Sequence, residues 1–305
     1  MTTRLISANT SEVLQMKAAE LKQSIKASEG RVVLSENVTG HEVGDGLTTS
    51  EVAAAFGADL ILLNGLDVLH PAIFGLYPNE GAVAHDDGQS IKRLQHLVGR
   101  PIGVNLEPVD VNADMSETRL TIPEGRMSSR KTLMEAEKLG FNFVCLTGNP
   151  GTGVTNAQIA ANVKVAKEVF SGLVIAGKMH GAGVNEPVVS LDAVQAFLDA
   201  GADVILVPAV GTVPGLTDDE IQAVVKLAHA HDTLVMSTIG TSQEGSGAHY
   251  IENVAVRNKI NGVDIQHIGD AAWGIQSPFE NIYALSKAIR GERHAIQRMA
   301  RSINR

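Results

Sequence analysis

The stretch Leu139-Gly-Phe-Asn-Phe-Val-Cys-Leu-Thr-Gly-Asn-Pro-Gly-Thr-Gly153 decides the fold. An apolar run of strand length ends in a polar turn that holds Gly148, Pro150, Gly151 and Gly153. Thr155 and Gln158 then offer a capping box for a helix over 156–170. A strand that runs at once into an amphipathic helix is a parallel βα unit. The opening of this unit, Gly140-Phe141-Asn142, recurs as Gly57-Ala58-Asp59, Gly201-Ala202-Asp203 and Gly262-Val263-Asp264. Each triplet stands just before an apolar run. Each glycine suits a helix C-terminus, and each Asp or Asn turns the chain into the sheet. The runs so marked are the second, fourth, sixth and eighth strands. Recurrence on alternate strands fits a closed barrel whose inner layers come from alternate strands.

Working outward, the other strands fall at 31–34, 59–63, 101–106, 173–177, 204–207, 233–238 and 263–268. Helices are expected at 50–56, 89–98, 130–139, 191–200 and 248–258. Two further capping boxes, Thr217 with Glu220 and Ser277 with Glu280, open the sixth and last helices. A helix over 11–27 precedes the first strand and should plug the barrel's bottom. The expected fold is therefore α/β, one (β/α)8 TIM barrel over residues 1–305 with an N-terminal extra helix. The 305-residue length fits a barrel of about 250 residues plus insertions.

Composition narrows the class. With 25 basic and 34 acidic residues the net charge is −9, which argues against a broad nucleic-acid footprint. The locally basic run Ala284–Arg305 reads as a helix that packs on the barrel or on a partner subunit, so a homo-oligomer is one expectation. No apolar run reaches the roughly 18 residues of a membrane span, and the N-terminus lacks the apolar core of a signal peptide. One cysteine, Cys145, excludes an internal disulfide and a thiolate metal cage. A cytoplasmic enzyme with no membrane or nucleic-acid partner is expected.

In this fold, chemistry gathers at the C-terminal ends of the strands. Strand periodicity puts Asn105 and Glu107 on one face of the third strand. It puts Cys145, Thr147 and Asn149 on one face of the fourth, and Ala176, Lys178 and His180 on one face of the fifth. If the apolar sets face the helices, these polar residues meet in the lumen. Lys178 and His180 are then candidates for proton or carbonyl chemistry, with Glu107 as general base or metal ligand. The bland alternative is a Glu107–Lys178 bridge between strands. Asn37, Asn64, Asn105, Thr147, Asn149 and Gly151 are candidate substrate contacts. Glu36, Glu107 and Asp270 could supply oxygen ligands to Mg²⁺ or Mn²⁺. The helix N-terminus behind Gly148–Gly153 is the expected anion site. Its competitor is the corner after strands seven and eight, with Gly240, Thr241 and Gly269, where Glu244 and Asp270 oppose a phosphate. His70, Arg119 and Arg126 lie on long loops that could form a lid.

The run Ser277-Pro-Phe-Glu-Asn-Ile-Tyr-Ala-Leu-Ser-Lys-Ala-Ile-Arg-Gly-Glu-Arg-His294, with Leu146–Gly153 and Gly177-Lys-Met-His-Gly181, resembles an uncharacterised bacterial TIM-barrel family. Its members carry labels such as phosphoenolpyruvate phosphonomutase-like or haloacid dehalogenase-like. The resemblance covers nearly the whole chain and implies the barrel. It lacks the Asp-rich, Gly-Tyr-Gly segment and Lys-Lys-Cys-Gly-type loop of the phosphonomutase group, and the Asp-x-Asp of haloacid dehalogenases. There is a fainter likeness to nucleosidase-like barrels. The expected function is a lyase or isomerase step on a small anionic, phosphorylated or carboxylated metabolite. The alternatives are a non-catalytic metabolite-binding barrel and a nucleosidase-like hydrolase.

Overall fold

The computed structural model describes residues 3–77, 80, 81 and 83–305. A 3₁₀ turn at Leu5–Ser7 and the helices α1 (Thr10–Val13) and α2 (Ala18–Lys26) precede β1 (Val32–Val38). A small hairpin, β2 (Glu42–Gly44) with β3 (Leu47–Thr48), leads into α3 (Thr49–Ala55). Strand and helix then alternate through β4 (Leu60–Asn64), α4 (Ser90–Val98), β5 (Ile102–Leu106) and α5 (Arg130–Leu139). Next come β6 (Phe143–Leu146), α6 (Asn156–Val169), β7 (Leu173–Gly177) and α7 (Leu191–Asp199). The chain ends with β8 (Val204–Pro208), α8 (Asp218–Ala230), β9 (Leu234–Ile239), α9 (Ala248–Ile260), β10 (Ile265–Ile268) and α10 (Phe279–Met299). Apart from the hairpin, the strands pair in parallel and close as β1-β10-β9-β8-β7-β6-β5-β4.

The fourfold triplet is part of what closes the barrel. All four glycines have positive φ, between 84° and 108°, where a Cβ would be strained. The residue two places on reaches across to the preceding strand. Asp59 Oδ2 accepts the Val33 N–H at 2.9 Å, and Asn142 Oδ1 accepts that of Ile102 at 2.9 Å. Asp203 Oδ2 accepts Val174 N–H at 2.9 Å, and Asp264 Oδ2 accepts Val235 N–H at 2.8 Å. Each bond satisfies an amide at the start of a strand and sets its register against the next.

Two apolar layers result. One lies between strands and helices, with Val33, Val104, Ala176 and Ile205 facing Leu94, Leu133 and Val163. The other fills the lumen with Leu34, Leu62, Phe143, Cys145, Ile175 and Met236. Phe143 fits because Gly103 opposes it; a Cβ there would stand 2.1 Å from the ring. Leu5, Val13, Leu21 and Ile25 join this inner layer, so the N-terminal segment does plug the bottom. It is not one helix, however. The chain is extended at Lys17, whose N–H donates to Glu20 Oε2 and starts α2 afresh. The expected Ser277–Glu280 capping box is also absent. Ser277 Oγ turns to the Glu244 carbonyl, and the helix begins at Phe279.

Candidate active site

The mouth at the strand C-termini is a cavity of about 440 Å³. Strand ends deliver Glu36 from β1, Asn64 from β4 and Asn105 from β5, and Thr147 and Asn149 follow directly after β6. The loops after β7, β9 and β10 add His180, Gly240, Thr241, Glu244, Gly269 and Asp270. Glu117 joins them from a loop. The lining holds four acids and neither lysine nor arginine.

A chain of amides organises one wall. Asn64 and Asn149 form a reciprocal pair, with Nδ2–Oδ1 distances of 3.0 and 3.1 Å. Asn64 Nδ2 also donates to Asp270 Oδ2 at 3.0 Å, and Asn105 Nδ2 donates to Asn64 Oδ1 at 3.2 Å. Behind them Glu107 holds Asn149 by its backbone N–H and its Nδ2, both at 2.8 Å, while Arg126 pairs with Glu107 at 2.8 Å. Both Glu107 oxygens are thus used by protein. It positions Asn149 from outside the cavity and is not placed as base or metal ligand. Arg126, expected on a lid, is consumed in the same pairing, and Arg119 donates to the Asp110 carbonyl.

Several expected residues lie elsewhere. Lys178 points away from the lumen and pairs at 2.8 Å with Glu186, which also accepts the Asn156 N–H at the start of α6. The parity on β7 is opposite to that expected, because Leu173 and Ile175 fill the lumen while Ala176 faces the helices. The anion expected at the fourth βα turn is therefore Glu186 itself. Around the turn, the N–H groups of Asn149, Thr152 and Gly153 all bond to protein, and Gly151 does not line the cavity. Asn37 is also turned out of the lumen, donating to Ser35 and to the Glu36 carbonyl. Among the described residues, no three His, Cys, Asp or Glu side chains converge as a metal site. Glu36, Glu107 and Asp270 accordingly do not form the expected Mg²⁺ or Mn²⁺ ligand set. Lys178→Met should cost about 1–3 kcal/mol of stability, read by urea denaturation, because Glu186 loses its countercharge.

One residue of weight was not foreseen as a contributor. Glu244 is buried, neither carboxylate oxygen completes a hydrogen bond, and desolvation raises its carboxyl, with the N–H groups of Glu244 and Ala271 offsetting only part of that. Its backbone is tied to α10 by Asn281, which donates to the Glu244 and Ser246 carbonyls at 2.8 and 2.7 Å. Asn105 Oδ1 and Thr147 Oγ1 are likewise buried without partners. Buried acceptors of this kind are rare unless something else satisfies them.

Burial sets the protonation states. Glu36 is pushed up to about 8, first by desolvation and then by repulsion from Glu244 and Glu107. Asp270 is pushed up to about 7, first by desolvation and then by Glu36. Burial lowers His267 to about 4, so its 2.9 Å contact from Nε2 to Glu36 Oε2 is a hydrogen bond to a neutral ring. His180 is lowered to about 4 by burial and then by Lys178. Its Nδ1 accepts the Ala182 N–H at 3.0 Å, which leaves the proton of the neutral ring on Nε2.

These shifts carry a stability signature. Below pH 6.5 the folded chain binds extra protons at Glu36 and Asp270 but fewer at His180 and His267, and the two trends oppose each other. Above pH 6.5 the unfolded chain's histidines finish losing their protons while Glu36 and Asp270 still hold theirs in the folded form, so the folded form binds more protons than the unfolded one. Stability should therefore fall on the order of 2 kcal/mol between pH 6.5 and 8.5. A melting series should show that slope and find it reduced in Glu36→Gln.

The closed topology defines a (β/α)8 barrel, and its mouth is lined by acids. The chain belongs to the family described as Domain of unknown function (DUF7916), whose model matches residues 6–305. Comparison with curated proteins finds no match. Similar solved structures include thiamine phosphate pyrophosphorylase from Pyrococcus furiosus, 14% identical over 86% of this chain and 97% of that one, TM-score 0.49. Another is 2,3-dimethylmalate lyase, a member of the PEP mutase/isocitrate lyase superfamily, 14% identical over 88% and 83%, TM-score 0.48. Oxaloacetate acetylhydrolase is 15% identical over 84% and 81%, TM-score 0.46. At these identities the likenesses speak to no activity of this chain. The open sheet implied by the haloacid dehalogenase label is absent, since the sheet closes.

Proposed function

We propose that the chain is an enzyme of lyase or isomerase type that moves a proton beside a carbonyl group. Its substrate would be a small hydroxyl- or amine-bearing metabolite. The observation that carries this reading is the convergence of Glu36, Glu244 and Asp270, each buried, on one cavity with no cationic side chain in its lining. Each of these carboxyls repels a substrate phosphate or carboxylate whenever it is ionised and none offers a countercharge, so the proposed substrate is neutral or cationic in place of the anionic one expected from sequence. A mouth filled by apolar side chains would instead suit a non-catalytic binding barrel.

In this scheme His267 donates Nε2–H to Glu36 Oε2, which leaves the other Glu36 oxygen to carry its proton toward the cavity. Asp270, steadied by Asn64, takes the proton from carbon, and Glu36 gives its own to the carbonyl oxygen, forming an enol. For an isomerisation, the neighbouring hydroxyl gives its proton to the Glu36 carboxylate while Asp270 returns its own to the former carbonyl carbon. For an elimination, the enol proton goes back to Glu36 as the carbonyl re-forms, and the expelled group leaves with the proton from Asp270. Asn105 Oδ1, Thr147 Oγ1 and Glu244 accept hydrogen bonds from substrate hydroxyl or ammonium groups. His180 Nε2–H donates.

The test is solvent deuterium uptake by NMR in D₂O, over hydroxy- and amino-carbonyl compounds set against phosphate esters and dicarboxylates. Uptake within the first group that disappears in Glu36→Gln supports the proposal. Uptake confined to phosphate esters or dicarboxylates, or unaffected by Glu36→Gln and Asp270→Asn, contradicts it.

A further inference from the structure

Beside the acid chamber lies a second one of about 590 Å³, which shares His180, Gly181 and Thr241 with it. Its walls are Val188, Val189, Val213, Pro214 and Leu216, with Glu220 also in the lining. The threonine hydroxyls of this lining are already engaged, and its one carboxylate, Glu220, is exposed at the rim. Thr241 Oγ1 donates to the Thr212 carbonyl at 2.7 Å, and Thr212 Oγ1 donates to the Ala209 carbonyl at 2.8 Å. Glu220 accepts the N–H and hydroxyl of Thr217, both at 2.8 Å. Between His180 at the shared wall and Glu220 at the rim, methyl and methylene surface is what faces a ligand, whereas the first chamber keeps unpartnered buried acceptors. The partition is strained, with Thr241 and Ser242 both left-handed at φ 57° and 67°. Strain of this kind persists where the surroundings hold it, and it gathers at ligand clamps.

We infer that the substrate is amphipathic. Its polar, reacting end sits among Glu36, Glu244 and Asp270, and an aliphatic or aromatic arm passes His180 and Thr241 to lie against Val189, Val213 and Leu216. The inference rests on the reading of the acid chamber as the substrate site, and it adds the chemistry of the rest of the molecule. Two chambers joined at a shared wall select a ligand that one chamber alone would not, because each desolvates the part that suits it.

The experiment uses two probe series by titration calorimetry on the full chain: n-alkylamines from ethyl to octyl, and n-alkanols of the same lengths. The amines should bind about threefold to fourfold tighter for each added methylene until the chain outgrows the second chamber. In Leu216→Asp that progression should flatten, and in Leu216→Met it should persist. Amines that bind with no dependence on chain length would overturn the inference and leave the acid chamber standing. Alkanols that show the progression while no amine outbinds its alkanol would sink the acid-chamber reading and keep the apolar arm. No binding in either series would overturn both.

Discussion

Glu36→Gln and Asp270→Asn should each lower turnover by roughly 10²–10⁴-fold, the usual contribution of a positioned acid or base. The fold should survive both changes, because glutamine and asparagine keep the volume and the neutral form that burial already favours. Glu36→Gln retains an acceptor for His267, and Asp270→Asn retains one for Asn64. The two variants should separate by pH. The rate of the proposed reaction in the parent chain should depend on two interacting groups near 7 and 8, and each variant should lose one limb of that profile. A drop of less than tenfold in both would remove them from the chemistry.

Asp59→Asn should have the largest effect on stability, about 3–5 kcal/mol, because it breaks a buried ionic cluster from one side. Asp59 is fully buried at the start of β4 and meets Arg290 and Arg298, each at 2.7 Å. Arg298 has lost part of its basicity to burial, and Arg100 beside it is lowered to about 9 by burial and then by Arg298. Removing the one carboxylate leaves these guanidinium groups with no anion. Asp264→Asn is the matched control, since Asp264 fills the same place in the fourfold repeat but faces a half-exposed His229 at 2.8 Å. It should cost about 1 kcal/mol. Asparagine can still accept the repeat hydrogen bond, as Asn142 does, so equal losses in urea denaturation would mean that the arginine cluster contributes no more than the half-exposed His229 pair.

What was legible in the sequence was local. Each Gly-x-Asp or Gly-x-Asn triplet encodes a helix end, a turn and the residue that locks the next strand, so four copies announced the barrel. Glu36, Asn64, Asn105 and Asp270 were legible because a polar residue closing an apolar strand has few places to point. Lys178 was misplaced because both faces of a barrel strand are apolar. Ile175 and Ala176 cannot reveal which one faces the lumen. The Gly148–Gly153 turn looked open to an anion because Glu186, in the next loop, is invisible to local reading. Glu244 was seen only as a charge opposing phosphate, since its placement depends on Asn281 in α10, 37 residues away. Long-range partners decide such residues, and one chain's local pattern does not carry them.

Glu36 and Asp270 form a cavity-facing pair in which burial holds both carboxyls far above their ordinary range, Glu36 above Asp270. A ¹³C NMR titration of the side-chain carboxyls, assigned with Glu36→Gln and Asp270→Asn, measures this directly. Two coupled transitions near pH 8 and pH 7 are expected, each shifting when the partner is replaced. Both groups titrating independently near pH 4, the ordinary value for exposed carboxyls, would contradict that expectation.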